Sequence, residues 1–230
     1  SIKFSYVGDK MGDYSLLSTS AISNIYEYKT PVNSVKQGNY QPITNLVAPE
    51  KIQVAIINGD YQISNNTKIR FELANSNTDK NLFSTTDDDD NNGLATKIEL
   101  ENFISSSNDI KIISKLELKH INKDFRSIEN NYDIEFLRDW NLDSTLLGVN
   151  NQFNKTQNQS TAEIIITKKN IGIVNYSYQS LEFVNNFKGN KHSAAVKYDN
   201  TKTEINSTNS LLESQSQLIK SDFYRSYNNI

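Results

Sequence analysis

Apolar and polar side chains change places at every second position over most of the chain. In residues 94–104, Leu94, Thr96, Ile98, Leu100 and Ile104 fall on one side, while Lys97, Glu99 and Glu101 fall on the other. That is the period of a strand buried on one face. Residues 110–121 repeat it, with Ile110, Ile112, Leu116 and Leu118 opposed to Lys111, Lys115, Glu117 and Lys119. The polar stretch SSSND between the two reads as a hairpin loop. Facing residues of an antiparallel pair have a constant sum. Ile104 opposite Ile110 therefore puts Ile98 against Leu116, Glu99 against Lys115 and Lys97 against Glu117, which makes both charge pairs complementary.

A second hairpin precedes this one, in KIQVAIINGDYQIS and KIRFELA. A loop of Asn65, Asn66 and Thr67, with one asparagine near the left-handed region, sets Ile63 against Ile69 and Tyr61 against Phe71. Residues 132–142 alternate as well: Tyr132, Ile134, Phe136, Arg138, Trp140 and Leu142 share one face of an expected strand, and Asp133, Glu135, Asp139, Asn141 and Asp143 make the other. Arg138 then lies between aromatic neighbours. Further strands follow in TAEIIITKK, IVNYSYQSLEFVNNF, HSAAVKYDNTKTEIN and SLLESQSQLIKSDFYRSY, with turns at KNIG, KGNK and STN. A bulge near Ser180 would explain why the apolar side moves from Val174, Tyr176 and Tyr178 to Leu181 and Phe183. The expected fold is all-β: about ten to twelve strands in consecutive antiparallel hairpins, forming a large twisted sheet or an open or partial β-barrel, with a β-sandwich as the alternative. The whole of 1–230 reads as one β-rich segment of a longer chain. It is open to subdivision into 1–145 and 160–230 by a linker or long loop at 146–160.

Composition narrows the function. The chain has 230 residues, 36% of them hydrophobic, with 24 Lys and Arg against 27 Asp and Glu. No basic excess exists to neutralise phosphates, which argues against nucleic acid as a partner. Cysteine is absent, so disulfides and thiolate metal sites are excluded. No apolar run approaches the roughly 18 residues of a membrane helix, and membrane association would have to go through a β-barrel. The opening SIKFSYVG lacks the basic and apolar regions of a signal peptide.

Candidate chemistry is sparse. From Asp88 the spacing Asp88, Asp90, Asn92, Gly93 and Glu99 fits the acidic calcium loop of a helix pair. The flanking segments read as strands, however, and Glu99 is assigned to Lys115. A looser calcium site of Asp88, Asp90 and Asn92, helped by Asp79, remains a candidate beside a plain solvated turn. Trp140, Tyr132 and Arg138 form a candidate ligand-binding platform for a sugar, with a core role as the simpler reading. His120 reads as a structural imidazole, and His192 follows the KGNK turn. No nucleophile elbow, phosphate loop or zinc-protease pair is present, and no enzyme is expected.

The phrases FSYVGDKMGDYS, VKQGNYQPITNLVAPEK, ELANSNTDKNLFSTTDDDDNNGLA and FRSIENNYDIEFLRDWNL resemble stretches of large, uncharacterised cell-envelope proteins of the Bacteroidota type, built of tandem antiparallel strands. The resemblance covers about the first 145 residues. It implies an exported, non-catalytic structural or interaction module in the outer membrane, at the cell surface or in the periplasm of a Gram-negative bacterium. Its partners would be other envelope proteins or the rest of a longer chain. The alternative is a ligand-binding β-sandwich or barrel that depends on carbohydrate or calcium.

Overall fold

A computed structural model describes residues 2–20, 23–44, 47–86, 88–106, 109–129, 132–142, 153–200, 202–217 and 219–229. It is all-β, with antiparallel sheets of four and nine strands, and divides into two compact units, residues 1–49 and 50–230.

The first unit holds β1 (Ser5–Tyr6), β2 (Tyr14–Thr19), β3 (Asn24–Tyr28) and β4 (Tyr40–Gln41), in the order β1-β4-β2-β3. Phe4 stacks on Tyr26 and meets Tyr14 edge-on, and Tyr40 closes on Tyr26. Two similar tripeptides, Gly12-Asp13-Tyr14 and Gly38-Asn39-Tyr40, cross each other, with Gly12 bridging Gly38 and Tyr14 opposite Tyr40. A Cβ on Gly12 would lie 2.4 Å from the Tyr40 carbonyl oxygen, so only glycine permits this crossing.

The second unit is a nine-stranded meander in the order β13-β12-β11-β10-β9-β8-β7-β6-β5. Its strands are β5 (Lys51–Ser64), β6 (Thr67–Asp79), β7 (Asn92–Ser106), β8 (Ile110–Ile121), β9 (Gln157–Lys168), β10 (Gly172–Phe183), β11 (Phe187–Asn200), β12 (Thr203–Ser216) and β13 (Lys220–Asn229). Of the expected 146–160 division, residues 146–152 lie outside the described residues, Phe153 is buried, and β9 begins at Gln157.

Both predicted hairpins form, each with its register displaced. Ile98 faces Leu118, Glu99 faces Glu117 and Lys97 faces Lys119, because β7 runs on to Ser106 and bulges between Phe103 and Ser105. In the earlier hairpin Tyr61 faces Ile69 and Gly59 faces Phe71, with an irregularity between Gln62 and Ser64 and a two-residue turn at Asn65 and Asn66. A displacement of two residues keeps every side chain on its expected face, which is all that alternation can specify.

Three other expectations are corrected. Strand β10 pairs without interruption on both sides, so no bulge occurs at Ser180. The apolar side changes because Leu181 and Phe183 are buried on one face of β10 under the segment that carries Trp140 and Phe153, while Val174, Tyr176 and Tyr178 lie on its other face. KGNK and STN are strand interior in β11 and β12, which places His192 in mid-strand. The turn before β11 is made instead by Asn185, in the left-handed region at φ 62°. Residues 132–142 contain a short helix, α1 (Phe136–Trp140), and not a strand.

The core lies on one face of the sheet, at the end crossed by the β8–β9 connection. Trp140, Phe153, Leu181, Phe183, Phe187 and Leu212 are buried there, with Tyr132, Phe136, Leu137 and Leu142 packed against them. A smaller cluster of Ala74, Ile121 and Phe125 adjoins Ala95.

Candidate functional site

The acidic loop closes locally. Asp88–Asp90 form one 3-10 turn, Asp79 ends β6 and Asn92 begins β7. The Asp88 carboxylate accepts from the Asn91 side chain at 2.9 Å, that of Asp79 accepts from the Asn81 backbone at 2.9 Å, and the Asn92 side chain accepts from Asn77 at 3.1 Å. Lys80 approaches Asp90 at 3.7 Å. Among the described residues no group of three or more acidic, histidine or cysteine side chains converges as a metal cage. Asp87 lies outside those residues. Glu99, the last position of the motif, accepts from Lys97 at 2.6 Å and Arg70 at 3.3 Å. Gly93 has a separate reason to be glycine: a Cβ there would lie 2.1 Å from the Phe125 backbone nitrogen.

Trp140 is only 3% exposed, which leaves no aromatic surface for a sugar to stack on. Arg138 does not sit between aromatic rings; its side chain is exposed and pairs with Glu135 at 2.9 Å. Lysines from the strands beneath take the cation–π positions, Lys191 at 4.7 Å from the Trp140 ring and Lys119 at 5.6 Å from that of Tyr132. Burial holds both amines below their ordinary value. The Tyr132 hydroxyl donates to Gln157 at 2.6 Å, and burial pushes this phenol up. Arg225 fastens α1 to β13 through Asp139 at 3.0 Å. The platform proposed for residues 132–142 is therefore a core plug. Lys119, Lys191 and Gln157 were not legible from alternation, which marks a face and not what covers it.

Away from that plug the two faces of the sheet have opposite chemistry. One carries a lattice of charges: Lys97 reaches Glu117 at 3.2 Å as well as Glu99, and Lys115 reaches Glu101 at 3.8 Å. These diagonal contacts relieve the like pairs Lys97–Lys119 and Glu99–Glu117 that the register sets opposite each other. The hydrogen bond from Lys97 and the nearby cations hold the Glu99 carboxyl below its usual range. The other face presents Ile57, Phe71, Ile98, Leu116, Leu118 and Ile164, all exposed. His120 and His192 lie on this second face, bonded to Asn158 at 2.7 Å and to the Tyr176 hydroxyl at 2.8 Å.

No protein-family model, curated protein or solved structure matches this chain. No helix among the described residues is long and apolar enough to cross a membrane.

A cleft of about 570 Å³ opens beside the plug, floored by Ala74, Ala95, Ile121 and Phe125 and edged by Lys119 and Glu72. Its mixed charge gives no single ligand class an advantage. The uncovered apolar face is the larger chemical feature.

Proposed function

We propose that the chain is a non-catalytic structural or interaction module of a bacterial cell envelope. Its nine-stranded sheet would act as a wall that seats its apolar face against a hydrophobic partner, either another envelope component or further parts of a longer polypeptide. The observation that carries this reading is the row of exposed apolar side chains from β5 to β11, on a sheet whose buried core lies on its opposite face. Contiguous apolar surface of this extent marks an association site. The resemblance of residues 1–145 to tandem-strand envelope proteins supports the cellular setting, exported and outer-membrane-associated in a Gram-negative bacterium.

The test compares the parent chain with the double variant Ile98→Asp/Leu118→Asp. The parent is expected to bind a hydrophobic dye and to self-associate or partition into detergent micelles. The variant is expected to keep its β-type circular dichroism and lose those properties. A parent that stays monomeric in water and binds no dye would refute the reading.

A further inference from the structure

The arrangement of apolar residues within that face identifies what covers it. One hydrogen-bonded row runs Gly59, Phe71, Ile98 and Leu118, then continues as Ser160, Ser180 and Asn190. It is apolar or small on β5–β8 and polar from β9 onward. A parallel row runs Thr67, Asn102 and Ser114, then Ile164, Tyr176 and Ala194. Here the order is reversed, polar on β6–β8 and apolar on β9–β11. The apolar band therefore crosses the rows obliquely. Its centre passes from Gly59 on β5 to Val196 on β11, a drift of about one residue per strand. With a rise of about 3.3 Å per residue and strands about 4.8 Å apart, the band is inclined by roughly 35° to the hydrogen bonds. Strands of a membrane barrel wall tilt by this amount, so a flat hydrocarbon layer cuts them along such a line.

Exposure differs between the two faces. On β7 and β8 the charged residues Lys97, Glu99, Glu101 and Glu117 are half-buried, whereas Ile98, Leu116 and Leu118 between them are exposed. Clefts of about 240 and 260 Å³ lie among the charged side chains, and one of about 400 Å³ lies on the other face beside Ile98, Leu118 and Ser180. The charged side chains are thus crowded against one another on one face, while the apolar side chains between them stand free on the other. Tyr61, Tyr178 and Tyr198 stand at the margins of the band, where aromatic residues meet a lipid interface.

We infer that the oblique apolar band is a lipid-contacting belt, with the hydrocarbon of a bilayer as its occupant and the charged face turned toward water. This inference rests on the proposed function and names its partner. Backbone groups along β5 and β13 would then need pairing by further strands, since hydrocarbon leaves no edge unsatisfied.

The chain has no cysteine, so a single cysteine carrying a fluorophore reports one position. The full chain is refolded into vesicles of short-chain phosphatidylcholine and phosphatidylglycerol whose acyl chains carry bromine. Labels at Ile98, Leu118, Ile164 and Val196 are expected to lose most of their fluorescence, and labels at Ser180 and Asn190 to lose none, although both share a row with Ile98. Equal quenching along the Ile98–Asn190 row would overturn the belt. Absence of quenching in a chain that self-associates in buffer would overturn the lipid occupant and leave the proposed function standing; absence of both would overturn the two together.

Discussion

At the residue scale, stability is concentrated in a few side chains on one face. Phe183 is fully buried, and its ring centroid lies 4.4 Å from that of Phe153. Truncation would leave a cavity that the surrounding rings cannot fill, so Phe183→Ala is expected to cost about 3–5 kcal/mol. Urea unfolding read by Trp140, the one tryptophan of the chain, measures it. Gly93→Ala should destabilise too, because its methyl group would displace the Phe125 backbone from the sheet; a midpoint equal to that of the parent would show that this contact is dispensable. Lys119 acts with the opposite sign. Its amine is held below 10.5 chiefly by burial, so in the folded state it gives up its proton before the unfolded chain does. The cost of burying the cation is therefore fully present at neutral pH and fades as pH rises through the folded value toward 10.5. Lys119→Met is expected to be more stable than the parent at pH 7, by an amount that shrinks with rising pH. A difference independent of pH would mean that methionine gains only by packing.

At the element scale, α1 depends on a single small residue beneath it. A Cβ on Gly189 would meet the Phe187 ring at 2.9 Å and the Trp140 ring at 3.2 Å. Gly189→Val should lift the helix from the sheet and shift Trp140 emission to the red while β-type circular dichroism persists; unchanged emission would contradict this packing. The same element shows where the sequence was ambiguous. Tyr132, Phe136 and Trp140 are four residues apart, a spacing that fits both the strand period of two and the helical period near 3.6. Leu137 carried the distinguishing signal. In a strand it would share the wet face with Asp133, Glu135 and Asp139, whereas it packs against the buried cluster and Ile134 is 100% exposed. Alternation was clear in β7 and β8, where charges take every second position at Lys97, Glu99 and Glu101 and at Lys115, Glu117 and Lys119, and the faces of both strands were legible there. Their register was not, since sliding by two residues preserves parity and only the bulge between Phe103 and Ser105 fixes the choice. The glycine of the calcium spacing around Asp88 is also the one needed under Phe125, so Gly93 by itself does not distinguish an ion site from a solvated turn.

At the scale of the whole molecule, the sheet separates what holds it together from what it offers outward. Both buried clusters belong to the face crossed by the β8–β9 connection, and most of the exposed apolar residues of β5–β11 belong to the other. Ile98 and Leu118 face each other across β7 and β8 at 44% and 46% exposure, so folding in water has removed only about half of each from solvent. Burial of apolar area gives roughly 25 cal/mol per Å², which makes these residues modest contributors despite their size. Ile98→Ala and Leu118→Ala are each expected to cost about 1 kcal/mol or less in aqueous urea, well below Phe183→Ala. In the presence of lipid or another hydrophobic partner the same two substitutions should weaken association by much more than they weaken folding. A large loss of aqueous stability would mean that this face helps to hold the monomer together, and an outward role for it could not then be separated from folding.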